Sequence, residues 1–118
     1  MTAWKRGTKP FNWYPHRGDI CLISLEKERP ALIISSDSLN AHSLDVCVLP
    51  ISKSELRAFS LRPKLKAGDG GLNFDSWVKC DQPTTLEKQL VIYPPLGSIS
   101  LSDMQQVEMA LKTSLDLS

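Results

Sequence analysis

Two side chains in this sequence stand where a phosphate could be handled. Arg29 closes a short charged turn, Glu26-Lys27-Glu28-Arg29, immediately before Pro30 and an apolar run. A guanidinium held there by the following proline can fork onto a phosphate. In the same place it can form a surface ion pair with Glu26 or Glu28. Ser52 ends another apolar run, where its hydroxyl can bond a ligand or turn back onto its own loop. The segment 53–66 follows, with Lys53, Arg57, Arg62, Lys64 and Lys66 against Glu55 alone, a local charge of +4. From Ser98 onward, Asp103, Glu108 and Asp116 stand against Lys112, or −2. Such polarity can steer a polyanion to one face, or simply keep a loop solvated.

Other chemistries have less to work with. His16 and His42 lack a Ser/Asp or Cys/Asp companion motif, so a hydrolase triad has no support. No CxxC, HExxH or other metal-ligand spacing exists, and neither a metal nor a cofactor is expected. Cys21, Cys47 and Cys80 are an odd, widely spaced set inside apolar runs. They suit small buried thiols in a reducing cytosol, and a cytoplasmic protein is expected. The Arg17-Gly18-Asp19 tripeptide is most simply the turn before the first strand.

These residues need a scaffold, and the hydrophobic pattern supplies one. Apolar, β-rich runs predict strands over 19–25 (DICLISL), 30–36 (PALIISS) and 45–52 (DVCVLPIS), the first two joined as a hairpin. Residues 37–40 read as a turn or one turn of helix. Pro50 inside the third run places that strand near an edge or a bulge. Further strands are expected over 56–66, over 76–81 with Lys79 on it, and over 90–93 and 96–100, with a tight turn at Gly68-Asp69-Gly70-Gly71. Ser102 with Gln105 three residues on is a capping-box pattern, and Met104, Val107, Leu111 and Leu115 then share one helical face. Five or more short strands and one closing helix predict a small, mostly antiparallel β-barrel with a C-terminal α-helix, a mostly β (α+β) fold.

The chain has 118 residues, 42% of them hydrophobic and 23% charged, with a net charge of +1. That is one globular domain with one real core, not a disordered chain. No apolar run is long enough for a membrane span, and the start lacks an apolar signal region. Residues 1–16 form an arm that is basic and aromatic, with Trp4, Phe11, Trp13 and Tyr14 among Lys5, Arg6 and Lys9; residues 17–118 form the barrel domain. The arm's aromatics can pack on the barrel or stack nucleic-acid bases.

Taken in order, the segments resemble the MazF/PemK family of toxin–antitoxin ribonucleases. The matching stretches are Arg17-Gly18-Asp19-Ile20, Arg29-Pro30-Ala31-Leu32-Ile33-Ile34-Ser35-Ser36-Asp37 and Val46-Cys47-Val48-Leu49-Pro50-Ile51-Ser52. Gly71-Leu72, Asp75-Ser76, Asp81-Gln82 and Leu96-Gly97-Ser98-Ile99-Ser100 follow, and the final helix completes the match. The resemblance implies an SH3-like barrel in a homodimeric toxin of a type II toxin–antitoxin system. It implies metal-independent, sequence-specific cleavage of single-stranded RNA, with the ribose 2′-hydroxyl as nucleophile, leaving a 2′,3′-cyclic phosphate and a 5′-hydroxyl. On this resemblance Arg29 and Ser52 are catalytic, and Gln82, Lys53, Arg57 and Lys79 bind RNA. A cognate antitoxin protein is the second implied partner. The first linker is much shorter than the family's long loop, and Pro83-Thr84 follow Gln82 where the family often has an apolar residue and arginine, so base specificity does not carry over. Two other activities fit the same barrel. One is that of the CcdB gyrase poisons, though the chain ends without their Trp-Gly-Ile; the other is non-catalytic RNA binding.

Overall fold

A computed structural model of the chain describes residues 9–54 and 61–117. Three apolar runs build its centre: β1 (Asp19–Ser24), β2 (Glu28–Ile33) and β3 (Asp45–Ser52), paired antiparallel in that order. Ile20 lies opposite Leu32, and Leu32 opposite Leu49, so one row crosses all three strands. That row belongs to the larger core, with Ile51, Leu65, Val78 and the helical residues Met104, Val107 and Ala110. Cys21, Ile23, Ala31, Ile33, Val46 and Val48 point the other way and form a second core with Val91, against which Trp13 packs. Both faces are therefore covered, which is why these strands read as nearly continuous apolar runs instead of alternating ones.

The sheet continues with β4 (Lys64–Leu65), β5 (Ser76–Val78), β6 (Thr84–Glu87) and β7 (Gly97–Ser98). The strand order is β4-β5-β3-β2-β1-β7, with β6 also on β3 and every pairing antiparallel. The sheet curls into a half-barrel, the mostly β architecture expected. A short helix, α1 (Asp37–His42), connects β2 to β3, and α2 (Leu101–Leu115) closes the chain.

Several local features differ from the sequence expectation. β3 is central, not an edge. On the side away from β2 it pairs with β6 as far as Val48 and with β5 from Ile51. Pro50 falls between the two ladders, where its missing N–H interrupts neither. β6 was not expected because most of its side chains are exposed, so backbone pairing defines it without an apolar signature. Over 90–93 there is only a bridge between Val91 and Ile23, preceded by a 3₁₀ turn at Lys88–Leu90. The strand expected over 56–66 is reduced to Lys64–Leu65 among the described residues, and 55–60, with Arg57, lies outside them.

The cap of α2 is Ser100, not Ser102: its Oγ accepts from the Asp103 N–H at 3.1 Å. Leu115 is exposed, and Ala110 takes a buried place in the stripe with Met104 and Val107. Cys21 and Cys80 are buried, and burial, helped by Asp19 and Asp81 respectively, pushes each thiol up to about 12. Cys47 is only half-buried.

The described part of the arm is partly integrated. Trp13 meets Tyr93 edge-on at 5.2 Å, while Phe11 is 93% exposed. Arg17 ties the start of β1 to both helices. Its backbone N–H donates to Asp37 at 2.7 Å, its Nε to the Ile34 carbonyl at 3.0 Å, and its guanidinium pairs with Glu108 at 2.9 Å.

Candidate active site between β2 and β3

The β2–β3 ladder ends with Ala31 opposite Pro50. Arg29 of β2, paired with Ile23, and Ser52 of β3, paired with Trp77, both lie just beyond the end of that ladder. Both line one groove of about 530 Å³, with Lys27, Lys53, Lys79 and Phe74. Among the described residues the groove is lined by four cationic residues, Lys27, Arg29, Lys53 and Lys79, and one carboxylate, Glu28. Its floor and sides are apolar, from Leu22, Pro30, Pro50 and Leu72.

Local sequence explains each placement. Arg29 sits in the exposed first half of β2, next to the Leu25-Glu26-Lys27 turn and before the chain dives into the core at Ala31. Among the described residues its guanidinium enters no hydrogen bond or ion pair, so the alternative pairing with Glu26 or Glu28 is not formed. Ser52 is the last residue of β3, opposite Trp77 of β5. Its Oγ accepts from the Ser54 N–H at 3.1 Å and donates to the Ser54 carbonyl at 3.3 Å. The first bond fixes the oxygen. The second is long, so the hydroxyl hydrogen can turn toward a ligand at small cost. Lys79 follows β5, and its backbone N–H donates to Pro50 at 2.9 Å, which holds it beside the groove.

The basic segment is less open than its composition implies. Arg62 forms two bonds with Asp81, and Lys64 lies 3.3 Å from Asp75. Asp81 is held below the usual carboxylate range, chiefly by the hydrogen bond from Arg62, and Arg62 is raised by the same bond. Asp75 is lowered as well, first by the Ala67 N–H and then by Lys64. These carboxylates come from outside 53–66, so a charge count over the segment cannot see them. Lys53 instead lies over the Phe74 ring, 4.7 Å from its centroid.

Of the expected site residues, the groove unites Arg29, Ser52, Lys53 and Lys79. Gln82 is exposed and does not line it; it forms a turn in which its N–H donates to Lys79 and its carbonyl accepts from Thr84 Oγ1. Arg57 is not described. Lys27 and Phe74 were missed. Lys27 lies in a turn marked only as charged, and an aromatic after a glycine-rich turn carries no signal of its own. Among the described residues no group of three or more His, Cys, Asp or Glu side chains is gathered as a metal site would require. Nor is any helix there long and apolar enough to cross a membrane.

A curled barrel with a cationic groove and one closing helix defines a recognisable class. The family model of PemK-like, MazF-like toxins of type II toxin–antitoxin systems matches residues 16–115, and the chain belongs to that family. Among individual relatives, the endoribonuclease MazF9 of Mycobacterium tuberculosis is 25% identical over 114 residues, covering 86% of this chain and 96% of its own. A mycobacterial endoribonuclease solved in complex with its cognate antitoxin is 26% identical, with a TM-score of 0.77 over 88% of this chain and 97% of that one. The MazE–MazF structure from Deinococcus radiodurans shares the fold at 19% identity, with a TM-score of 0.77 over 90% of this chain and 99% of that one.

Proposed function

We propose that this chain is a toxin endoribonuclease that cuts single-stranded RNA in the groove between β2 and β3. The observation that carries the reading is that Arg29 and Ser52 line one groove whose described lining holds four cations and one carboxylate. Family membership and the similarity to MazF9 support the reaction class.

In this reading the groove cations hold the RNA backbone with one phosphate between Arg29 and Ser52. The 2′-hydroxyl of the preceding ribose gives its proton to solvent as its oxygen attacks phosphorus. The bond from phosphorus to the 5′-oxygen breaks, and that oxygen leaves as a 5′-hydroxyl after taking up a proton from solvent water. A 2′,3′-cyclic phosphate remains on the other fragment. Because the nucleophile is internal, no activated water is needed. The phosphorane gains negative charge on its equatorial oxygens, and Arg29 with the redirected Ser52 hydroxyl stabilises that charge. Arg29 acts electrostatically, since a guanidinium does not give up its proton near neutrality.

Lys53 and Lys79 contribute backbone attraction in the groove, Gln82 contacts the RNA outside it, and Arg57 is proposed as a further RNA-binding cation. The catalytic barrel is assigned to 17–118, preceded by the basic and aromatic arm over 1–16. The protein works as a cytoplasmic homodimer, and a cognate antitoxin with an acidic or apolar tail occupies the same groove to silence it. The test is cleavage of a long single-stranded RNA by purified protein in EDTA, with fragment ends mapped. Discrete cuts bearing 5′-hydroxyl ends are expected. Intact RNA beside a folded protein overturns the reading, and inhibition of DNA supercoiling under those conditions would assign a gyrase poison instead.

A further inference from the structure

Phe74 is 57% exposed, yet it stands in the wall of the groove that holds Arg29 and Ser52. A large aromatic left that open gains little from burial, so its place calls for another explanation. Three features bear on it. The Lys53 ammonium lies over one face of the ring, 4.7 Å from its centroid, which orients the ring and holds a cation next to it. The two residues after it tie the loop down: Ser76 Oγ donates to the Phe74 carbonyl at 2.8 Å, and Asp75 accepts the Ala67 N–H at 2.8 Å. Just before the loop, Gly71 at φ +81° packs so tightly that a Cβ would stand 2.0 Å from the Leu96 carbonyl oxygen. A ring on a loop so restrained loses little freedom when a planar ligand settles on it.

We propose that Phe74 is a stacking platform for a nucleobase of the RNA, positioning the strand so that its phosphate reaches Arg29 and Ser52. The inference rests on the ribonuclease reading above and names the residue that helps select where the strand sits. An aromatic face accepts any base, while the adjoining cation holds the neighbouring phosphate; together they match single-stranded nucleic acid. Charge favours the same occupant, since four groove cations face one carboxylate.

The probe is a 2′-O-methyl RNA oligonucleotide carrying 2-aminopurine, which the enzyme cannot cut. Its affinity and fluorescence are measured with wild type, Phe74→Ala, Phe74→Trp and Lys53→Ala, alongside cleavage of ordinary RNA. Phe74→Ala is expected to weaken binding roughly 5- to 150-fold with an unchanged salt slope and to lose 2-aminopurine quenching. Phe74→Trp retains both. Lys53→Ala lowers the salt slope instead. If wild type binds and cuts RNA but Phe74→Ala does so equally well, the stacking role is wrong and the ribonuclease reading stands. If Phe74→Ala weakens only capture of the cognate antitoxin, the ring serves a protein partner and the inference is overturned. If wild type neither binds nor cuts RNA, the ribonuclease reading itself has failed and takes this one with it.

Discussion

Arg62 and Asp81 form a forked pair, Nε to Oδ1 at 3.1 Å and Nη2 to Oδ2 at 3.0 Å, that joins the segment before β4 to the end of the β5 region. The arginine side chain is only 12% exposed and the aspartate 27%. The pair commits one of the five cations of the basic segment 53–66 to structure.

Because the folded state holds Asp81 below its ordinary value, the stabilisation is present above the unfolded carboxylate pKa and is lost as pH falls through the lowered one. Asp81→Asn is therefore expected to reduce stability at pH 7 by about 1 kcal/mol, the scale of a partly solvated forked pair. Urea denaturation should show the gap between wild type and variant intact near pH 6. It should close progressively below about pH 4. A gap that widens in acid would contradict this sign.

Leu32 lies fully buried in the row Ile20–Leu32–Leu49 under α2. Leu32→Ala removes packing on three strands at once and should cost about 2–5 kcal/mol. The urea midpoint is the readout, and RNA cleavage by the fraction that remains folded should be unchanged.

Gly71→Ala combines a left-handed backbone with the 2.0 Å encounter with the Leu96 carbonyl. Its unfolding temperature should fall by several degrees, corresponding to about 1–3 kcal/mol of strain. A variant as stable as wild type would show that this turn can shift freely.

Salt dependence reports how many phosphates the groove engages. Four cationic side chains predict a log–log slope near −3 for single-stranded 2′-O-methyl RNA, and Lys79→Ala should reduce it by about 0.7. Filter binding across a salt series measures both. A slope near zero would exclude a backbone-binding groove.

Most of this fold was legible in the sequence because burial on two faces leaves a continuous apolar mark, as in β1, β2 and β3. The bounds of β3 agree with the run 45–52 residue for residue. What stayed hidden depends on backbone pairing or on partners distant in the chain. β6 has exposed side chains and is defined by its ladder to β3. Pro50 signalled an interruption, but that interruption is a change of partner inside the sheet. In the groove, Arg29 and Ser52 are candidates that ordered family motifs single out, whereas Lys27 and Phe74 become groove residues only when the sheet curls. The acids that neutralise Arg62 and Lys64 lie 19 and 11 positions away, beyond any local charge count.

The most direct measurement compares wild type with Arg29→Ala on a long single-stranded RNA in EDTA, with fragment ends mapped and folding checked by circular dichroism. Arg29 is exposed and in no ion pair among the described residues, so its removal should leave the fold intact. The expected result is discrete wild-type cuts with 5′-hydroxyl ends, and a loss of about 10²–10³-fold in the variant. Cleavage at full rate by a folded Arg29→Ala protein would contradict the placement of the reaction between β2 and β3.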